Sequence, residues 1–149
     1  MVSLFAGNAA QEVEAALVSA GAVGKVAVVG DARLARRLSV AGRDVLCVAE
    51  SDRGLKRAGV EVVTGAADSL PLPDGSVGAV VVSGLAAPGP WEPLLAEWCR
   101  VVMPGGVVVV VDRASAPELG RCALCGGLTA IEQRTAGRTV ITAGRWHPL

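Results

Sequence analysis

Lys25-Val26-Ala27-Val28-Val29-Gly30-Asp31-Ala32-Arg33-Leu34 reads as a strand, a sharp turn and the start of a helix. Val26–Val29 is apolar on both faces, as a central strand of a parallel sheet must be. Gly30 supplies the turn. Asp31 is placed to cap the helix that follows. Leu34 and Leu38, extended by Ala41, make that helix's inward stripe, and Arg33, Arg36 and Arg37 look outward. Gly42 closes it. In open α/β sheets, ligands bind in the crevice beside such a turn.

The flanking sequence repeats the alternation. Before the first strand, residues 8–20 predict a helix, with Asn8 as its cap and Gln11 as capping-box partner. Val13, Leu17 and Ala20 share one face of it, and Gly21 and Gly24 end it. After the Arg-rich helix comes a strand, Val45–Ala49. A short helix beginning at Glu50-Ser51 carries Leu55 and Ala58. A third strand is expected at Val60–Thr64. Gly65 to Ser76 is a loop rich in turn formers. Val77–Ser83 is the fourth strand, and Gly84 to Pro90 a second loop.

A helix at Trp91–Val102 places Leu94, Leu95, Trp98 and Val101 at helical spacing. Pro93 is tolerated in its first turn. Pro104-Gly105-Gly106 breaks it before a strand at Val107–Val111. Residues 116–125 suit a short helix. Leu128–Thr135 and Arg138–Ala143 suit a hairpin turning at Ala136-Gly137. Five strand–helix units and a hairpin predict an α/β fold: a doubly wound, mostly parallel seven-stranded sheet with a C-terminal antiparallel hairpin. One domain is expected over 1–149, its core spanning about 25–145.

Hydrophobic residues make up 52% of the 149, enough for a sizeable core. Fourteen basic and 14 acidic residues balance to +0, and no basic patch stands out, so no nucleic-acid partner is expected. The longest aliphatic run, Val107–Val111, is too short to cross a membrane. The first residues lack the basic start and apolar stretch of a signal peptide. These features predict a soluble cytoplasmic protein. Tyr is absent, and three Trp and one Phe are the only aromatics, which disfavours base-stacking platforms.

Cys47 and Cys99 read as small core residues. Cys122-Ala-Leu-Cys125 admits three readings. A structural zinc site with His147 would lack a fourth ligand. A redox pair would lack the expected preceding strand. Two helix-borne cysteines facing the sheet is the favoured reading. No metal is expected, and His147 is not expected to be a general base.

Two stretches carry a resemblance. Gly65-Ala-Ala-Asp-Ser-Leu-Pro-Leu-Pro-Asp-Gly-Ser-Val-Gly-Ala-Val80 resembles the pattern GDAxxLPFxDxSFDxV. Leu95-Ala-Glu-Trp-Cys-Arg-Val-Val-Met-Pro-Gly-Gly106 resembles ExxRVLKPGG. Both patterns, and the terminal hairpin, are those of the class I S-adenosylmethionine-dependent methyltransferases. The resemblance implies a Rossmann-like fold. It also implies a cofactor site at Gly30, Asp31, Ala32, Glu50, Asp68 and Ser83.

The residues at several family positions depart from that pattern. Val28 stands where the family has an acid, and Ala32 and Leu34 replace the second and third glycines. Ala49 replaces the ribose-binding acid, with Glu50 one residue on. Ala66 replaces the acid that meets the adenine, with Asp68 two residues late. Gly78 replaces an acid that opens the fourth strand. Fold-serving residues such as Leu70, Pro71, Asp74, Arg100 and Gly105 remain. The expectation is a degenerate methyltransferase-like module, non-catalytic, without cofactor or catalytic residues. It would bind a protein or itself as a scaffold or regulatory subunit, with Leu85, Trp91 and Trp146 as interface candidates. The alternative is a divergent, active S-adenosylmethionine-dependent methyltransferase using the six residues above.

Overall fold

Valine-rich runs pair with one another to form the middle of the sheet. In the computed structural model, which describes residues 2–51, 59–83, 92–113 and 116–148, the strands are β1 (Val26–Val29), β2 (Val45–Ala49), β3 (Glu61–Thr64), β4 (Val77–Val82), β5 (Val102–Asp112), β6 (Thr129–Ala136) and β7 (Thr139–Arg145). The helices are α1 (Val2–Ser19), α2 (Ala32–Val40), α3 (Glu92–Val101) and α4 (Ala116–Cys125). One seven-stranded sheet runs in the order β3-β2-β1-β4-β5-β7-β6. β1 to β5 are parallel, and β7 runs antiparallel to both β5 and β6. This is the doubly wound, mostly parallel architecture with a terminal hairpin that the alternation predicts.

The central strands bury both faces, and alternate residues go to opposite layers. Val26, Val28, Ala79, Val81, Val107 and Val109 pack under α1 and α2 with Val13, Leu17, Leu34 and Leu38. Ala27, Val29, Val80, Val82, Val108 and Val110 pack under α3 and α4 with Leu95, Trp98, Leu119 and Cys122. Trp98 is fully buried, and its indole N–H donates to the Ala67 carbonyl at 2.9 Å. No helix among the described residues is long and apolar enough to cross a membrane.

Most ends shift by a residue or two from the sequence reading, and four differences carry a physical reason. α1 starts at Val2, so Asn8 lies inside the helix and does not cap it. Gly and Asn weaken a helix interior without forbidding it. β5 extends back to Val102 through Pro104-Gly105-Gly106. There the 146 amide donates to the Gly106 carbonyl and the Gly105 amide to the 146 carbonyl, and Val102 registers with Val77 of β4. The hairpin pairs Ala136 with Thr139, which puts the turn at Gly137-Arg138, one residue later than expected. Ala41 is the C-cap of α2 and is exposed, so it is not part of the inward stripe. The short helix expected after Glu50-Ser51 and the loop Gly84 to Pro90 lie outside the described residues.

An ionic cluster fastens the 65–76 loop to α3. Arg100 grips Glu97 with two bonds, Nε to Oε1 at 2.7 Å and Nη2 to Oε2 at 2.9 Å. It also donates to the carbonyls of Leu70 and Leu72, and to Asp74 at 2.7 Å. Glu97 Oε2 accepts the Leu70 amide at 2.7 Å. The guanidinium lowers the Glu97 carboxyl below the usual range, with the Leu70 amide assisting against partial burial. Asp74, Glu97 and Arg100, all within the two family-like stretches, thus hold the loop on the helix.

Candidate functional site

The chain path reverses direction across the sheet between β1 and β4. β1 leads into α2 on one face of the sheet, and β4 leads toward α3 on the other. That is the topological switch point where open α/β sheets take their ligands.

Gly30 makes the turn at this point with φ +86°. Its amide donates to the Val48 carbonyl at 2.9 Å. A Cβ at Gly30 would collide with the carbonyl oxygen of Ser83, so β1 and β4 end in close contact. Asp31 follows as the cap of α2, its Oδ1 accepting the Leu34 amide at 3.1 Å. Its other oxygen, Oδ2, accepts the Ser83 hydroxyl at 3.1 Å. Both carboxylate oxygens of Asp31 are therefore engaged within the protein, and the Asp31–Ser83 bond spans the switch point. Ser83 is buried and tied to a residue 52 positions away. Only the position of Ser83 at the end of a strand beside the Gly30 turn signalled the pairing.

Of the six candidate cofactor residues, the fold brings together Gly30, Asp31 and Ser83. Ala32 opens α2 and is half-buried against the core. Glu50 follows β2 and is exposed, as is Asp68 in the loop after β3. Neither joins the Asp31–Ser83 bridge. Leu34 does not stand in the turn: its side chain is buried with Val28, Leu38 and Cys47 beneath α2. Val28 points into that same layer and is fully buried. At Gly78 a Cβ would run into the Val23 carbonyl, so the backbone there leaves no room for an acid.

The remaining candidates separate by burial. Trp146 is half-buried and packs against the α3–α4 layer, so most of its ring serves the core; Leu85 and Trp91 lie outside the described residues. Cys122 is buried and Cys125 exposed. The expectation that both face the sheet is corrected, because three residues along α4 carry the second sulfur past the edge of the buried stripe. Among the described residues no cluster of His, Cys, Asp and Glu could hold a metal. His147 is exposed, beside Gly105.

A family model described as a methyltransferase domain matches residues 27–110, more than half of the chain. The chain belongs to this methyltransferase family. No curated protein sequence matches it. Solved methyltransferases share its fold at low identity. One is the 1,6-didemethyltoxoflavin-N1-methyltransferase of Burkholderia thailandensis, solved with 1,6-didemethyltoxoflavin and S-adenosylhomocysteine bound. It aligns with TM-score 0.72 and 15% identity over 91% of this chain and 76% of its own. A TehB-like S-adenosylmethionine-dependent methyltransferase of Corynebacterium glutamicum aligns with TM-score 0.66 and 22% identity, covering 91% and 87%. A Haloferax volcanii methyltransferase in complex with a methyltransferase activator aligns with TM-score 0.69 and 17% identity, covering 84% and 83%. The methyltransferase fold is therefore present from β1 to the terminal hairpin.

Proposed function

We propose that this methyltransferase-family chain is a non-catalytic module that binds a protein partner and has given up S-adenosylmethionine. The observation that carries this reading is the set of residues at the family's acid positions. The cofactor's ammonium and ribose hydroxyls need charged or polar acceptors at the carboxyl edge of the sheet. Those positions hold Val28, Ala49, Ala66 and Gly78; Val28 is fully buried and the backbone at Gly78 has no room for a side chain. Asp31 already accepts the Leu34 amide and the Ser83 hydroxyl. The described residues thus fit the cofactor poorly, since a buried polar ligand group left without a partner loses about 1–3 kcal/mol. A relative of the same fold is held in complex with an activator protein, which makes a protein ligand a reasonable class for this fold.

One observation favours the alternative of an active, divergent enzyme. The Gly30 turn keeps a positive φ and a capped helix behind it, the backbone geometry on which a cofactor is cradled. Calorimetric titration of the purified chain with S-adenosylmethionine and S-adenosylhomocysteine separates the two. The proposal expects no heat of binding at millimolar ligand. Micromolar binding of either compound would overturn it in favour of the enzyme.

A further inference from the structure

The outer face of α2 is charged in a way the protein does not itself neutralise. Arg33, Arg36 and Arg37 are exposed and have no ion-pair partner among the described residues. Elsewhere Lys25 pairs with Glu61, Arg43 with Glu14, Arg100 with Glu97 and Asp74, and Arg134 with Glu12 and Glu132. Arg113, Arg121 and Arg138 have no ion pair among the described residues either, but they stand singly, after β5, on α4 and in the β6–β7 turn. The spacing on α2 is unfavourable for the helix. Arg33 lies three and four residues from Arg36 and Arg37, so like charges are neighbours on one face. Arg33 also stands in the first turn, where a cation opposes the helix dipole, with the Asp31 cap as the acid beside it, while Arg37 in the last turn suits the dipole. The like-charge spacing is the local rule left uncompensated, and it points to an external anion.

The same face ends in apolar surface. Val40 is 81% exposed and lies three residues beyond Arg37 and four beyond Arg36. Just past it, Arg43 reaches across to Glu14 and to the Ala22 carbonyl. That contact brings the end of α2 beside the end of α1 and the segment leading to β1, where Val18 and Val23 are 64% and 68% exposed. Three guanidinium groups therefore run down to one exposed valine, with two more on the segments that Arg43 ties to the end of α2.

We propose that this face docks an acidic, amphipathic segment of a partner protein. Carboxylates one turn apart would meet Arg33, Arg36 and Arg37, and an apolar residue a turn further on would cover Val40. A helix presents those groups in that order. A nucleic-acid backbone would use the arginines and leave the valines uncovered, and the chain's overall neutrality gives no long-range pull on a polyanion. The proposal rests on the non-catalytic reading only in taking a protein as the ligand.

The test is fluorescence anisotropy of a labelled helical peptide with glutamates at i, i+3 and i+4 and a leucine at i+7. Saturable binding that weakens with added salt is expected. Arg36→Glu with Arg37→Glu should weaken it by at least about tenfold, and Val40→Ser by roughly threefold. Far-UV circular dichroism should show these surface variants folded like the parent, and a lysine version of the peptide should not bind. Absence of saturable binding, or binding indifferent to both variants, would overturn the proposal. So would tighter binding of a DNA duplex through the same arginines. Cofactor calorimetry reads the crevice separately, so the two proposals fail by different measurements.

Discussion

At the scale of single residues, Gly30 combines two constraints. Its φ of +86° favours glycine, and a side chain there meets the Ser83 carbonyl. Gly30→Ala is expected to cost about 2–4 kcal/mol, combining a left-handed backbone with a clash. Gly24→Ala provides the control, since φ is +81° there and nothing stands in the way; it should cost about 1 kcal/mol. Urea unfolding of the two variants measures the difference. The cysteines offer a second check. Burial pushes the Cys99 thiol up to about 11, and burial together with the Asp31 carboxylate raises that of Cys47. Cys125 alone is exposed. A thiol reagent at mildly alkaline pH should modify Cys125 in the native protein and reach the other three only in denaturant, as mass spectrometry would read.

At the scale of elements, the loop–α3 clamp makes a pH-dependent contribution. The Arg100 guanidinium lowers the Glu97 carboxyl, so the unfolded chain holds a proton there at pH values where the folded chain does not. The resulting stability is fully present above the unfolded value of about 4.3 and is lost as pH falls through the folded one. Glu97→Gln should lose about 1 kcal/mol near neutral pH and show a flatter decline below pH ~4.3. Urea midpoints of the two proteins across that range test it.

Element boundaries show where local pattern suffices. β2 is expected and found at Val45–Ala49, because four buried residues stand between Arg43-Asp44 and Glu50. α2 is legible from its Asp31 cap and its Leu34–Leu38 stripe. The start of β5 is not legible, because Pro104-Gly105-Gly106 reads as a break. The strand continues there because Val102 registers with Val77 of β4 across a bulge and the segment at residue 146 pairs with Gly105 and Gly106.

At the scale of the whole molecule, stability should grade outward from the switch point. β4 is buried along its whole length and β1 likewise. β3 and β6 are the two edges and largely half-exposed. Amide exchange followed by NMR should release β3 and β6 first and β1 and β4 last, the latter only through global unfolding. Uniform protection across the sheet would contradict that gradient.

The sequence by itself determined the class of fold, the family, the alternation of strands and helices, and most of the core. Each of these is written in local periodicity, in turn residues and in the two motif stretches, all read within a few neighbouring positions. The tertiary structure alone decided the pairing of Asp31 with Ser83, the exposure of Cys125, and the arginine face left without anions. Those facts depend on which strands lie side by side and where each helix docks. Such contacts join residues far apart in the chain, and no local pattern specifies them.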